Sequence, residues 1–362
     1  MRIEKETALL DTSSAAWENE DSVAHFPVIQ SLLSIDGLLT GVLPEYALEQ
    51  PVKRHLLAHN LNDNYLISAR SNKYILRIYQ APRSLGSSWR TPKDILYELD
   101  LLLHLQRKGV SVAAPLARKD GTLMRILQAP EGSRAAVLFT YAPGSAVTPP
   151  RQNRELSGIY GRAIAEIHTS SADFVSSHAR FSLDLAYLLD TSLETIKLVL
   201  ARRPEDLRYL LQMAGLLKGR LIQLIAQGLQ PGICHGDAAG GNANISAEKK
   251  LTFFDFDVCG PGWRAYDLAV FYWGTLMGKS RLGWNNEQAH ELWASYLQGY
   301  QQVCEPGERD LQAIPLFAML RHFWFLGTIT ANWDYWSYGE IDDDFFDREL
   351  TFLREELAPR AD

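Results

Sequence analysis

Cysteine is scarce: Cys234, Cys259 and Cys304 are the only three in the chain. The number is odd and no pair has CxxC spacing, which argues against a disulfide scaffold and against a cysteine-rich zinc site. Basic residues are not in excess. Against 43 acidic side chains there are 36 basic ones, a formal net charge of −7. A general nucleic-acid binder concentrates Lys and Arg over its surface, so no nucleic-acid partner is expected. No apolar run approaches the length of a bilayer span. The amino terminus, MRIEKETALLDTSSAAWENED, lacks the basic start and apolar stretch of a secretory signal. The expectation is a cytoplasmic protein with no membrane partner. Internal repeats are also missing, and no feature sets an oligomeric state.

What is present is enough apolar sequence, 46% of 362 residues, to build two lobes around a sizeable core. Residues 1–24 read as a peripheral lead-in, and PVIQSLLSIDGLL after them has a helical look. Residues 25–138 then form a strand-rich lobe. VKRHLLAH and NDNYLISAR are strand-like, and SNKYILRIYQA follows the polar Ser71-Asn72 turn of a hairpin. Thr91, Pro92 and Asp94 cap a helix that runs to Gly109. VSVAAPLARKDG and RAAVLFTYAPG read as further strands. Residues 139–144 contain Pro143 and Gly144 and form a connection. Residues 145–362 are mostly helical, with NRELSGIYGRAIAEIHTS and RYLLQMAGLLKGRLIQLIAQG at helical spacing. Two short strand-like pieces, NANIS and KLTFFDFDV, interrupt the helices. The nine tryptophans fit core packing better than a cofactor box.

The chemistry gathers in PGICHGDAAGGNANI, residues 231–245. Gly240 and Gly241 allow a sharp turn between Asp237 and Asn242. Pairing NANIS with KLTFF brings Asn242 close to Asp255, two hard oxygen donors suited to Mg2+ together with phosphate oxygens and water. Asp237 is left outside that shell, where it can orient or accept the proton of a hydroxyl. An Asx-capped turn and an exposed strand end would read the same way locally. Against that, Asp255 follows Phe253 and Phe254, where an unpaired carboxylate costs free energy.

HGDAAGGN followed by FFDFDVCGPGWRAYDLA resembles the aminoglycoside phosphotransferase and homoserine kinase superfamily, which includes choline kinases and bacterial stress-response kinases. The resemblance implies an α+β, two-lobed protein-kinase-like fold and transfer of the γ-phosphoryl group of ATP, or sometimes GTP, to a hydroxyl. It implies Asp237 as the catalytic aspartate and Asn242 and Asp255 as Mg2+ ligands. Asp257 falls at a second acidic position, and Asp267 resembles a structural aspartate. His235 reads as a brace for the loop rather than a ligand, because no second His or Cys has metal spacing nearby.

Upstream, Glu98 lies inside the apolar stripe of the Thr91-capped helix. Arg77 alternates with Ile75 and Tyr79 and so points into an apolar face. Pairing Arg77 with Glu98 satisfies both; a structural ion pair and a phosphate-gripping pair like that of kinases share this geometry. The chain departs from many relatives in having arginine there instead of lysine, which changes the shape of phosphate contact. The loop AHNLNDNYLI has no glycine, although Asn64 matches a frequently polar position, and Ala239 replaces a histidine. Adenine is expected against Leu138 to Tyr141. The partner is expected to be a small hydroxyl acceptor, cationic if Asp334, Glu340, Asp342, Asp343 and Asp344 face the cleft. The same acids also suit a solvated helix start. A protein serine or threonine acceptor and a catalytically silent binding module are the competing readings.

Overall fold

Alternation of apolar residues along short segments builds the first half of the chain into a sheet. The computed structural model describes residues 26–82, 90–148, 152–238, 241–333 and 341–358. A short helix α1 (Ile35–Gly41) leads into β1 (Val52–His59), β2 (Asp63–Ala69) and β3 (Asn72–Ile78). Helix α2 (Pro92–Arg107) follows, then β4 (Arg125–Ala129) and β5 (Gly132–Thr140). The strands form one five-stranded sheet in the order β1-β2-β3-β5-β4, every neighbouring pair antiparallel.

The period of two sorts β5 onto two cores. Ala136 and Leu138 join Tyr65, Ile67, Leu76 and Ile78 against α1. Val137 and Phe139 face the core that holds Ile95, Leu99 and Leu102 of α2. The capping box expected at α2 is present: the Thr91 side chain accepts from Asp94 N–H, and the Asp94 carboxylate accepts from Thr91 N–H.

Two stretches depart from expectation. Of PVIQSLLSIDGLL only the end is helical, from Ile35. Residues 110–121 are not a strand but make isolated bridges, Val112 to Phe253 and Pro115 to Phe139. Ala113 N–H donates to Phe253 O (2.8 Å) and Leu116 N–H to Leu138 O (2.8 Å). The segment thus divides its hydrogen bonds between a hairpin of the second half and the first sheet. Pro115, with no N–H to give, suits a crossing segment better than a ladder.

The second half is helical: α3 (Arg154–Ser170), α4 (Thr191–Val199), α5 (Pro204–Ala226), α6 (Arg264–Leu282), α7 (Asn286–Gln301), α8 (Glu308–Asn332) and α9 (Asp343–Phe352). Small sheets lie among these helices. β6 (Ser145–Ala146), β8 (Ala243–Ile245) and β9 (Leu251–Phe253) form one in the order β6-β8-β9, and β7 (Pro231–Cys234) pairs with β10 (Gly260–Trp263). The sequence reading found β8 and β9 and missed β4, β6, β7 and β10, most of them very short. Helices α3 and α7 touch backbone to backbone; a Cβ on Gly161 would lie 1.9 Å from Tyr296 O. That contact needs glycine.

Contrary to the sequence reading, α8 is long and apolar enough to cross a membrane by length and composition, the only such helix among the described residues. Yet 78% of its most apolar window is buried inside the fold. It packs against α4, α5 and α6 as a core helix. The result is the expected α+β, two-lobed architecture.

Candidate active site

The β8–β9 hairpin and the turns at its two ends carry the acidic residues. Ala243 pairs with Phe253, and Phe254 N–H donates to Asn242 O at 3.0 Å. This register sets Asn242 against the residue that precedes Asp255, as the hairpin argument required. Asp255 itself turns the chain with φ +64°, a left-handed conformation that Asp tolerates better than most residues.

Asn242 donates its Nδ2–H to Asp237 O (2.8 Å) and to Asp237 Oδ2 (3.0 Å). Its amide oxygen therefore remains for another partner. Ala239 and Gly240, including half of the expected glycine turn, lie outside the described residues. The Asp237 Oδ1 atom pairs with Arg321 Nη2.

Behind the loop a buried network holds its backbone. Asp267, at the start of α6, accepts His235 N–H (2.7 Å) on one oxygen and Gly236 N–H (2.8 Å) on the other. His168 Nε2 donates to Asp267 Oδ2 (3.0 Å), and His168 Nδ1 accepts from the Tyr300 hydroxyl (2.9 Å). Burial pushes the Asp267 carboxyl up, but the hydrogen bonds from His168 and from the Gly236 amide hold it below its ordinary range. His235 accepts Asp237 N–H on Nδ1 (3.3 Å) and donates Nε2–H to Phe254 O (3.2 Å), tying the loop to the hairpin. Cys234 and Cys259 are fully buried and behave as small apolar residues. Burial pushes the Cys259 thiol up to about 12.

Across the cleft, Arg77 on β3 does not pair with Glu98. Its Nη1 donates to Asp255 Oδ1 (2.8 Å) and its Nε to Asn64 Oδ1 (3.1 Å). Glu98 takes the Tyr79 hydroxyl at 3.0 Å instead. The expected pair fails because Asp255 reaches the guanidinium first from the opposite lobe. Burial then dominates over the charges of Arg77 and Arg180 and pushes the Glu98 carboxyl up to about 7. Asp257 is also raised, by burial and by Asp255, against the pull of Arg90, Arg77 and Arg180.

Two cavities meet at this point. One, of about 300 Å³, is lined by Leu57, Ala58, Ile75, Glu98, Phe139 and Tyr141 among others. The other, of about 260 Å³, is lined by Asn62, Asp237, Asp257, Arg321 and Trp324. Asn64, Arg77 and Asp255 belong to both walls. Leu138 lines neither: its side chain is buried in the core against α1, and Phe139, one residue on, faces the first cavity. The side-chain period of two puts neighbouring residues on opposite faces, so the expected Leu138 contact is corrected to Phe139.

The acids beyond Trp333 play other parts where they are described. Asp342 caps α9 by accepting Phe345 N–H (2.8 Å), and Asp343 pairs with Arg203 (3.3 Å). Neither these two nor Asp344 lines the second cavity. Asp334 and Glu340 lie outside the described residues. Among the residues of this cavity that escaped the sequence reading are Arg321, Asn62 and Arg90. Asn62 Nδ2 donates to Asp257 Oδ2 (3.2 Å), and Arg90 Nε donates to Asp257 O. For Arg321 there was a signal, a lone cation within AMLRHFWFLG that needs a partner once buried.

A strand-rich lobe over a helical lobe, with acidic loops at a cleft between them, defines the bilobal kinase-like class of phosphoryl-transfer proteins. Residues 54–309 match the phosphotransferase enzyme family, and the chain belongs to that family. It is 34% identical over 334 residues to an uncharacterized protein of Deinococcus radiodurans, covering 92% of this chain and 93% of the other. The amicoumacin kinase of Bacillus subtilis is 27% identical over 289 residues, with 78% and 82% covered. Among solved structures, an amicoumacin kinase in complex with AMP-PNP, Ca2+ and Ami matches with TM-score 0.70 at 23% identity, over 89% of this chain and 93% of that one. A microcompartment-associated aminopropanol kinase matches with TM-score 0.64 at 20% identity, over 88% and 94%.

Proposed function

We propose that the protein transfers the γ-phosphoryl group of ATP to a hydroxyl of a small, polar, amine-bearing acceptor such as an amino alcohol or amino sugar. The observation that carries this reading is the pair of cavities sharing one wall at Asn64, Arg77 and Asp255. The nucleoside belongs in the first, against Leu57, Ala58, Ile75, Phe139 and Tyr141. The acceptor belongs in the second, beside Asp237. Phosphate then lies at the shared wall, where Arg77 offers charge and hydrogen bonds.

The residues present fit a divalent cation. Asn242 keeps an amide oxygen free of its Asp237 contacts, and Asp255 lies next to it in the hairpin register. Both are hard donors, and Asp255 has a carboxylate oxygen besides the one held by Arg77. Mg2+ held by this pair would neutralise phosphate charge and fix the phosphate oxygens. Asp237 orients the acceptor hydroxyl and accepts its proton. Asp267 holds the backbone on which Asp237 stands, through the two amides just before it. A cytoplasmic setting, which supplies ATP and Mg2+, goes with this reading.

A protein acceptor fits less well, because the second cavity holds only about 260 Å³ and α8 residues form one side of it. The names of the matched kinases, amicoumacin and aminopropanol, also point to small molecules. The test is γ-phosphoryl uptake from labelled ATP, with GTP for comparison, by a panel of homoserine, aminopropanol, an aminoglycoside and a generic protein acceptor. The small amine-bearing alcohols should take up label. Asp237→Asn should lower kcat on the order of 10²- to 10⁴-fold. Uptake by the protein acceptor alone, or equal turnover in the Asn variant, would refute the assignment.

A further inference from the structure

Arg321 sits in the middle of α8, between the buried residues Leu320 and His322, and is itself 4% exposed. Placing a guanidinium there is costly unless its charge is matched. Its ionic partner is the Asp237 carboxylate, which lies 84 residues away in sequence. The cation is clamped by rings: its centre lies 4.4 Å from the Trp324 ring centroid and 5.3 Å from that of Trp273. The Nε and Nη1 atoms are buried without a hydrogen bond. Arginine chosen only to bind α8 to its surroundings would use its planar fork on several acceptors. This one lies between aromatic faces with the Tyr266 hydroxyl beside it, and its ion pair is made through Nη2 to a single carboxylate oxygen, that of Asp237.

We infer that Arg321 is a positioning residue for phosphoryl transfer: it fixes Asp237 Oδ1 from the acceptor side while Asn242 holds Oδ2. The inference rests on the role proposed above for Asp237. With both oxygens engaged by donors on different elements, the carboxylate plane cannot turn about its Cβ–Cγ bond. Oδ2, with one bond from Asn242, keeps a lone pair for the hydroxyl of the acceptor. Trp324 lines the same cavity, so the residue that clamps the guanidinium also shapes the acceptor space. Removing Arg321 frees the Asp237 side chain, which is 26% exposed and so remains solvated. Removing the Asp237 charge instead strands a buried cation. The two changes therefore differ in their effect on folding.

The test uses the full chain and follows Mg·ATP hydrolysis without added acceptor, Mg·ADP binding by calorimetry, and thermal melting. Arg321→Met, which fills the space between the tryptophans, should lower kcat by roughly 10- to 100-fold through misorientation. The KM for ATP and the Mg·ADP affinity should stay within about twofold of the parent, a pattern that marks an effect on kcat alone. Arg321→Lys keeps the charge without the fork and should recover part of the lost kcat. In an Asp237→Asn background, Arg321→Met should cost nothing further.

Parental kcat in Arg321→Met, an effect on KM alone, or fully additive losses in the double variant would overturn the inference. If Arg321→Met does not fold, Arg321→Lys decides: a lowered kcat with unchanged KM supports it, and parental kcat overturns it. Asp237→Asn turning over at the parental rate would instead sink the role of Asp237, and with it both readings. A dead Asp237→Asn beside a fully active Arg321→Met removes the clamp alone.

Discussion

Glu98 is 1% exposed, and the hydroxyl of Tyr79 is its hydrogen-bond donor. Its carboxyl is raised to about 7 because burial outweighs the nearby cations. A carboxyl raised in the folded state binds its proton more tightly there than in the unfolded chain. The folded protein therefore loses stability as pH rises from the ordinary glutamate range towards 7, and the loss is complete above it. Glu98→Gln mimics the protonated form. It should raise the melting temperature at pH 8 and change it little at pH 5; equal shifts at both would show that Glu98 is not the titrating group. The pairing of Glu98 with Arg77, natural from the two apolar stripes, fails for a reason the stripes do not contain. Asp255 comes from the other lobe, and a half-buried carboxylate at 2.8 Å outcompetes a buried one.

At the scale of the element, β5 shows how far a pattern can be read. Gly132–Thr140 is nearly continuous apolar sequence, buried on both faces from Arg134 to Phe139. Such a run identifies a central strand but carries no alternation that says which residue faces which core. Register with β3, Leu76 opposite Leu138 and Ile75 opposite Phe139, settles it. Leu138→Ala should therefore cost about 2–5 kcal/mol of stability. Nucleotide affinity should stay unchanged in that variant, measured by chemical denaturation and by Mg·ADP titration. A loss of affinity without a loss of stability would put Leu138 back in the cleft. The β8–β9 hairpin is the opposite case. Its strands are three residues each, yet the turn between them is short, so sequence distance alone brings Asn242 and Asp255 together.

Across the whole molecule, the lobes are joined at the site itself. Arg77 to Asp255 and Asn62 to Asp257 run from β3 and from the β1–β2 turn, respectively, to the loop after β9. Residues 110–116 add backbone hydrogen bonds to both sides. On the proposed reading, a molecule of net charge −7 receives a polyanionic nucleotide here through such local cations together with a divalent ion. Asp255→Asn should weaken Mg2+-dependent ADP binding by at least on the order of 10- to 100-fold. Binding measured in EDTA should be nearly unchanged, and unaltered Mg2+-dependent binding would remove Asp255 from the metal assignment.

Most of the helices, the central strands and the loop–hairpin pair at 237, 242 and 255 follow from the chain alone. Capping residues, turn residues and short separations act over a few bonds, and their geometry is nearly forced. The partner of Arg77, the face chosen at Leu138 and the presence of Arg321 beside Asp237 depend on which distant segments pack together. Coulomb attraction and burial choose among acids and cations by distance in space, and folding alone sets that distance.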